Sequence, residues 1–378
     1  MNELGTRFSL GGTGPTIAIK DSIDIGGYPT IAGSRALADA PPAACHAQVV
    51  ELLLQATWHI VGKANMHELA FGMTGINDYT GTPTNPQDAS RIPGGSSSGS
   101  AAAVGAQLVD AALGTDTGGS VRGPAACCGV IGFKPTYGRV SRVGVAPRHS
   151  TLDCVGPFAR EMQVIVQVMS AIAPGFDANA ASTSMLRGVK LGLLDVDADP
   201  SIQAAVNRAA DESGFACSRL VLPGLKTAFD AGLTIINAET WAAFGSLTGH
   251  NRLGADIEAR LCAAAATNET QLAAAEQVRS SFTHSVEQLL RDVDVLVLPT
   301  LPNLPITLEA ARAGTSVIGL SSLIRPFNLS GHPALTLPVS VQGSPLKAGL
   351  QIVGRKGEDE HVCAIAGAFE RAIAAISA

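Results

Sequence analysis

Residues 91–129 read RIPGGSSSGSAAAVGAQLVDAALGTDTGGSVRGPAACCG, and this stretch restricts the fold more than any other. It holds two Gly-Gly-Ser turns, Gly94-Gly95-Ser96 and Gly118-Gly119-Ser120, with their serines 24 positions apart. The first runs into AAAVGAQLVDAALG, which is apolar and helix-permissive, and the second into a further probable helix. A flexible spacer is normally flanked by polar, low-complexity sequence, so this stretch reads as packed interior. Serines ahead of an apolar run can cap it, a structural role open to Ser97 and Ser98. Glycines beside a serine at a helix start also let backbone N–H groups reach a ligand where the helix dipole favours negative charge.

The residues leave several chemistries to weigh. A P-loop fails, because the Gly62-Lys63 pair lacks both the upstream glycine and the following Ser/Thr. Gly95-Ser96-Ser97-Ser98-Gly99 matches a nucleophile elbow centred on Ser97, but the preceding NPQDASRIP reads as a loop and not as the required strand. An elbow also needs an acid and a histidine, and none of His149, His250, His284, His332 or His361 has a distinguishing context. Alternatively, the amides of the second turn could form an oxyanion hole around a serine activated by a buried lysine. Lys20, which ends the apolar run PTIAIK, is one candidate base, and Lys63, which ends WHIVGK, is its rival. Ser344-Pro345-Leu346-Lys347 fits S-x-x-K without the elements that accompany that motif.

Strand-like and helical patterns alternate around this centre. PTIAIK, WHIVGK, VKLGLLDV (189–196), SRLVLP, DVLVLPT (294–300), PALTLPVSV and AGLQIVG read as strands. HAQVVELLLQA (46–56), ANMHELAFG (64–72), MQVIVQVMSAIA (162–173), PSIQAAVNRAADE and the region from Asn237 to Leu290 read as helical. Val362, Ile365, Ala366, Phe369, Ile373 and Ile376 fall at helical spacing in a closing amphipathic helix. The alternation predicts α/β layering in one large unit over 1–378, because no linker separates two cores. With 46% hydrophobic and 15% charged residues the chain is globular, and a net charge of −6 with scattered Lys and Arg argues against nucleic acid. No apolar window suits a signal peptide or membrane span, so a cytoplasmic setting is expected. Seven cysteines without a C-x-x-C pair make neither a disulfide framework nor a zinc site.

Taken in order, IAIKDSIDIGG, GKANMHELAFG, NPQDASRIPGGSSSGSAAAVG, ALGTDTGGSVRGPAACCGVIGFKPTYGRVS, TLDCVGPFAR, FNLSGHPALTLPVS and AGLQIVG resemble the amidase signature family over nearly the whole chain. The resemblance implies a mixed central sheet covered by helices on both faces, with a catalytic core about 15–160 and C-terminal strands 294–354. A helical region about 175–290 would form the substrate pocket. It implies Ser120 as nucleophile, Ser96 on a cis peptide bond as bridging serine, and Lys20 as base, with Lys63 structural. The N–H groups of Thr117, Gly118, Gly119 and Ser120 would hold the oxyanion, without metal or organic cofactor. Asp116 and Arg122 would fix this loop or orient substrate, and Arg148 and His149 would approach a polar or carboxylate-bearing amide. Ser22 stands where the family commonly has asparagine after Lys-Asp, and Lys20 lies too near the N-terminus for the long leader of the fatty-acid amide hydrolases. The expected activity is hydrolysis of a small amide by a homodimer. The alternatives are a noncatalytic or synthetase-like component of a larger complex, of the kind found in the glutamyl-tRNA amidotransferase, and a Ser-His-Asp enzyme built on Ser97.

Overall fold

The computed structural model describes residues 2–377, with side chains described through Ala375. Its strands are β1 Leu4–Gly11, β2 Thr16–Lys20, β3 His59–Ala64, β4 Ala111–Asp116, β5 Ile131–Lys134, β6 Cys154–Ala159, β7 Lys190–Leu194, β8 Ala216–Leu220, β9 Val295–Pro299, β10 Ala334–Ser340 and β11 Lys347–Val353. They form one mixed 11-stranded sheet in the order β1-β3-β2-β4-β6-β5-β10-β11-β9-β7-β8. β2 runs parallel to β3 and β4, and β7 runs parallel to β8 and β9, while the pairs between those groups are antiparallel.

The helices are α1 Gln48–Gln55, α2 Ser98–Gly105, α3 Arg122–Cys128, α4 Met162–Ile172, α5 Ala178–Ala181, α6 Pro200–Glu212, α7 Leu225–Phe244, α8 Ala255–Ala264, α9 Glu269–Asp292, α10 Leu308–Arg312, α11 Arg325–Leu329 and α12 Asp359–Ser377. Side chains alternate across a strand, so β9 reports what covers each face of the sheet. Val295 and Val297 join a core with residues of α4, α6 and α12, whereas Leu296 and Leu298 join a second core with residues of α7, α9 and α11. Both faces are therefore covered, and the chain is a single large α/β domain.

Side-chain caps close the N-termini of α5, α6, α9 and α10. Asp199 caps α6 ahead of Pro200, and Asn268 with Gln271 closes a capping box on α9. In α12, Val362, Ile365, Ala366 and Phe369 are fully buried and Ile373 packs beside them. Ile376, the last expected position of that stripe, lies outside the described side chains.

ANMHELAFG departs from expectation, since it forms only a 3-10 turn over Glu68–Ala70. The His67 N–H donates to the Ser96 carbonyl at 3.0 Å, and Asn65 and Asn77 side chains donate to the carbonyls of Gly81, Gly33 and Met66. These tertiary bonds displace the helical ladder and bind residues 65–81 to the Gly/Ser loop. Among the described residues, no helix is long and apolar enough to cross a membrane.

Candidate active site

β2 lies between β3 and β4, which drives its last residue into the interior. Lys20 is fully buried there, and its Nζ donates to Ser96 Oγ at 2.8 Å and to Thr115 Oγ1 at 2.8 Å. Burial lowers the Lys20 pKa from 10.5 to about 7, against an upward pull from Asp153 and Asp116. A lysine at that value carries a large neutral fraction near pH 7 and can take up a proton.

Ser96 sits in the loop ahead of α2, where the Gly95–Ser96 peptide bond is cis. A Cβ on Gly95 would come within 2.8 Å of the Gly72 carbonyl, so glycine is required by the close approach of two backbones. Ser97 occupies the N-cap position of α2 but makes no capping bond. Its Oγ instead donates to the Thr115 carbonyl at 3.2 Å and accepts from the Thr115 N–H at 3.3 Å, clamping the loop to β4. Ser98 is buried with its Oγ unpartnered, and it caps nothing. No strand precedes Ser97 in the elbow manner, because residues 81–97 are loop apart from an isolated bridge at Arg91.

The strand that Ser97 lacks is present ahead of Ser120, which lies in the turn between β4 and α3. Asp116 organises that turn. Its carboxylate accepts the N–H groups of Gly119 at 2.8 Å, Val121 at 3.1 Å and Arg122 at 3.3 Å, and it pairs with the Arg122 guanidinium at 2.9 Å. Arg122 Nη1 donates onward to the Ile324 carbonyl and Gln351 Oε1, and Asn328 Nδ2 donates to Asp116 Oδ1. Burial alone would raise the Asp116 pKa, but Arg122 holds it well below the usual carboxylate range, with help from Lys134 and Asn328. Both members of the pair are fully buried. Of their two expected roles the geometry supports loop fixing; neither lines the cavities described below.

The expected oxyanion donors separate in the same way. The Gly119 N–H is already donated to Asp116, whereas those of Thr117, Gly118 and Ser120 have no partner among the described residues. The first link of the expected relay, Lys20 to Ser96, is closed, while Ser120 Oγ makes no hydrogen bond to Ser96 or to any other described residue. Catalytic hydrogen bonds are commonly long in the ligand-free state and tighten around substrate.

Ser120 opens on a cavity of about 80 Å³ bounded by Met73, Thr117, Gly118, Ile236 and Arg325. A wider cavity of about 910 Å³ shares Phe71, Leu233, Arg260, Val317 and Ile318 with it. Helices α7 and α8 supply part of this lining, and residues 67–79 and 311–318 supply much of the rest. Arg148 and His149 do not take the expected place. Arg148 is exposed and pairs with Asp24 at 2.8 Å, and His149 is exposed and lines neither cavity. Lys63 is tied to Asp21 at 2.9 Å and to the Pro29 carbonyl at 2.7 Å, so its place is structural. Sequence pattern does not single out Thr115, Arg260 or Arg325, although Arg325 stands as a lone cation in the apolar run SSLIRPFNL.

The family model for amidase matches residues 13–363 of the chain. The chain belongs to the amidase family. This amidase is 34% identical to the A component of the glutamyl-tRNA(Gln) amidotransferase of Methanospirillum hungatei, over 95% of its own length and 93% of that relative. Among solved structures it resembles the same component from Thermotoga maritima, with a TM-score of 0.82 and 29% identity over 98% of this chain and 88% of the other. A structure described as an amidase gives a TM-score of 0.84 at 31% identity, covering 95% and 84% of the two chains. Another, from a vestigial protein complex described as revealing the origins of an s-triazine catabolic enzyme, gives 0.86 at 28%, covering 94% and 83%.

Proposed function

We propose that this amidase hydrolyses the C–N bond of a small amide through an acyl-enzyme on Ser120, with Ser96 and Lys20 carrying the proton. The observation that carries the reading is the fully buried Lys20, bonded to Ser96 Oγ at 2.8 Å and brought by burial to a pKa of about 7. Neutral Lys20 accepts a proton from Ser96 as Ser96 accepts one from Ser120, and Ser120 Oγ attacks the amide carbonyl. The free N–H groups of Thr117, Gly118 and Ser120 face the developing oxyanion. Ser96 returns the proton to the leaving nitrogen, and water then releases the acid by the reverse path.

The likeness to the amidotransferase component over 95% of the chain favours a second setting for the same chemistry. There the chain releases ammonia as one member of a complex, and the relay link open at Ser120 closes when a partner or substrate binds. That relationship weighs more heavily for a partner protein than for the expected homodimer. The test is ammonia release from a panel of primary amides, glutamine included, by the purified chain, with Ser120→Ala and Lys20→Met as controls. Steady turnover by the chain alone supports the free hydrolase. Turnover only on addition of partner proteins supports the second setting, and turnover that survives Ser120→Ala overturns both.

A further inference from the structure

Arg325 opens α11 and is only 5% exposed. One guanidinium nitrogen, Nη2, donates to Ser321 Oγ at 2.7 Å, while Nε and Nη1 are buried without any hydrogen-bond partner. No carboxylate stands within ion-pair distance among the described residues. The acid that acts on it electrostatically, Asp230, is half exposed and already paired with Lys226 at 2.7 Å. The Phe229 ring covers one face of the group at 4.2 Å. Burial lowers its pKa from 12.5 to about 10, with Arg260 adding repulsion, so it remains a cation at neutral pH. A buried cation whose donors are unmet is costly unless an anion completes it.

The cavity at Ser120 shows where that anion would come from. Arg260 and Arg325 are its charged lining residues, and it has no Asp or Glu, whereas the wider cavity outside carries Glu68, Asp78 and Asp256. Arg325 also approaches the reacting loop closely, since a Cβ on Gly118 would lie 3.4 Å from its Nε. We propose that Arg325 binds a carboxylate on the substrate, making the natural substrate a short amide that bears an acid group beside the scissile carbonyl. This rests on the amide-hydrolase reading above and names the substrate class. A cavity of about 80 Å³ admits only a handful of heavy atoms, which sets the scale of that acid arm. The carboxylate recognition expected of Arg148 and His149 thus moves to the opposite end of the chain.

The test compares succinamate with levulinamide, its near-isosteric uncharged counterpart, in the wild-type chain and in Arg325→Met and Arg325→Lys. The kcat/KM ratio of succinamate to levulinamide should fall about 100-fold in Arg325→Met, the scale of losing a charged hydrogen-bond pair, with Arg325→Lys between. Arg325→Met should also melt no lower than wild type, because it removes an unpaired buried charge. A ratio that moves less than threefold overturns the proposal, and so does an equal loss on both amides, which would assign Arg325 to the oxyanion. If the wild-type chain turns over neither amide, calorimetry of succinamate on Ser120→Ala and on Ser120→Ala with Arg325→Met decides. Binding abolished by the second change supports carboxylate recognition while the hydrolytic reading fails, and absence of binding at millimolar succinamate overturns it.

Discussion

Replacing Lys20 by methionine separates the cost of its burial from the value of its hydrogen bonds. The folded protein holds Lys20 at a pKa of about 7 where an exposed lysine has 10.5. Between those values the unfolded chain binds a proton that the folded protein has released, so stability rises with pH through the window and levels off above it. Below pH 7 both states are protonated and the full penalty, about 5 kcal/mol, stands against folding. Methionine has no such window. It forfeits the bonds to Ser96 and Thr115, but both partners are uncharged hydroxyls, so a loss of about 1–3 kcal/mol each is the same at every pH. Subtracting the variant's stability from that of wild type therefore leaves the hydrogen bonds as a constant offset, and the change of that difference with pH isolates the charge. By urea denaturation, the difference should move about 3 kcal/mol toward the wild type from pH 6.5 to 9.5. The same proton sets activity: kcat/KM should be half-maximal near pH 7 and about one-tenth of its plateau at pH 6. A difference curve flat to within about 1 kcal/mol, together with a rate that does not respond to pH between 5.5 and 8, refutes Lys20 as a neutral base.

Five further substitutions address the loops. Ser120→Ala and Ser96→Ala should each lower kcat by about 10³-fold or more while melting like the wild type, and Ser97→Ala should keep most activity and lose about 1 kcal/mol of stability; an inactive, fully folded Ser97→Ala would restore the elbow. Asp116→Asn leaves the Arg122 guanidinium buried without its countercharge and should cost about 3–5 kcal/mol in chemical denaturation. Gly119→Ala should lose activity and at least about 1–3 kcal/mol, because its φ of +112° disfavours a side chain and the new Cβ falls on Ile324 Cδ1. A normal melting temperature for that variant would contradict the packing argument.

Much of this arrangement was legible in the sequence, for reasons that differ by residue. Helical patterning marked α6, α12 and the region that holds α9, and β-branched runs marked β2, β3 and β9. β4 gave no signal of its own, because AALGTD is buried on both faces and carries no alternation. The short ANMHELAFG failed as a helix because its polar side chains serve partners far away in sequence, which no local pattern reports. At the candidate site, the family resemblance pointed to Lys20, Ser96 and Ser120, and the structure added the bonds that hold Lys20. Arg325 stayed unread because its meaning is a deficit: nitrogens left without partners can be recognised only once every neighbour is in place.

Three buried cations around the Ser120 loop make that deficit informative, since each resolves the cost of burial differently. Arg122 has a fixed carboxylate, Asp116, and its charge is spent on holding the turn. Lys20 has no carboxylate in contact and meets the cost by giving up its proton, which is the form a base requires. Arg325 can do neither: at a pKa of about 10 it stays charged in neutral solution, and its near neighbour Arg260 carries the same sign. With neither a fixed acid nor a proton to release, the remaining route is a countercharge from outside the chain. That countercharge must arrive through the cavity that Ser120 shares, which places an anionic group and the reacting carbonyl on one small molecule.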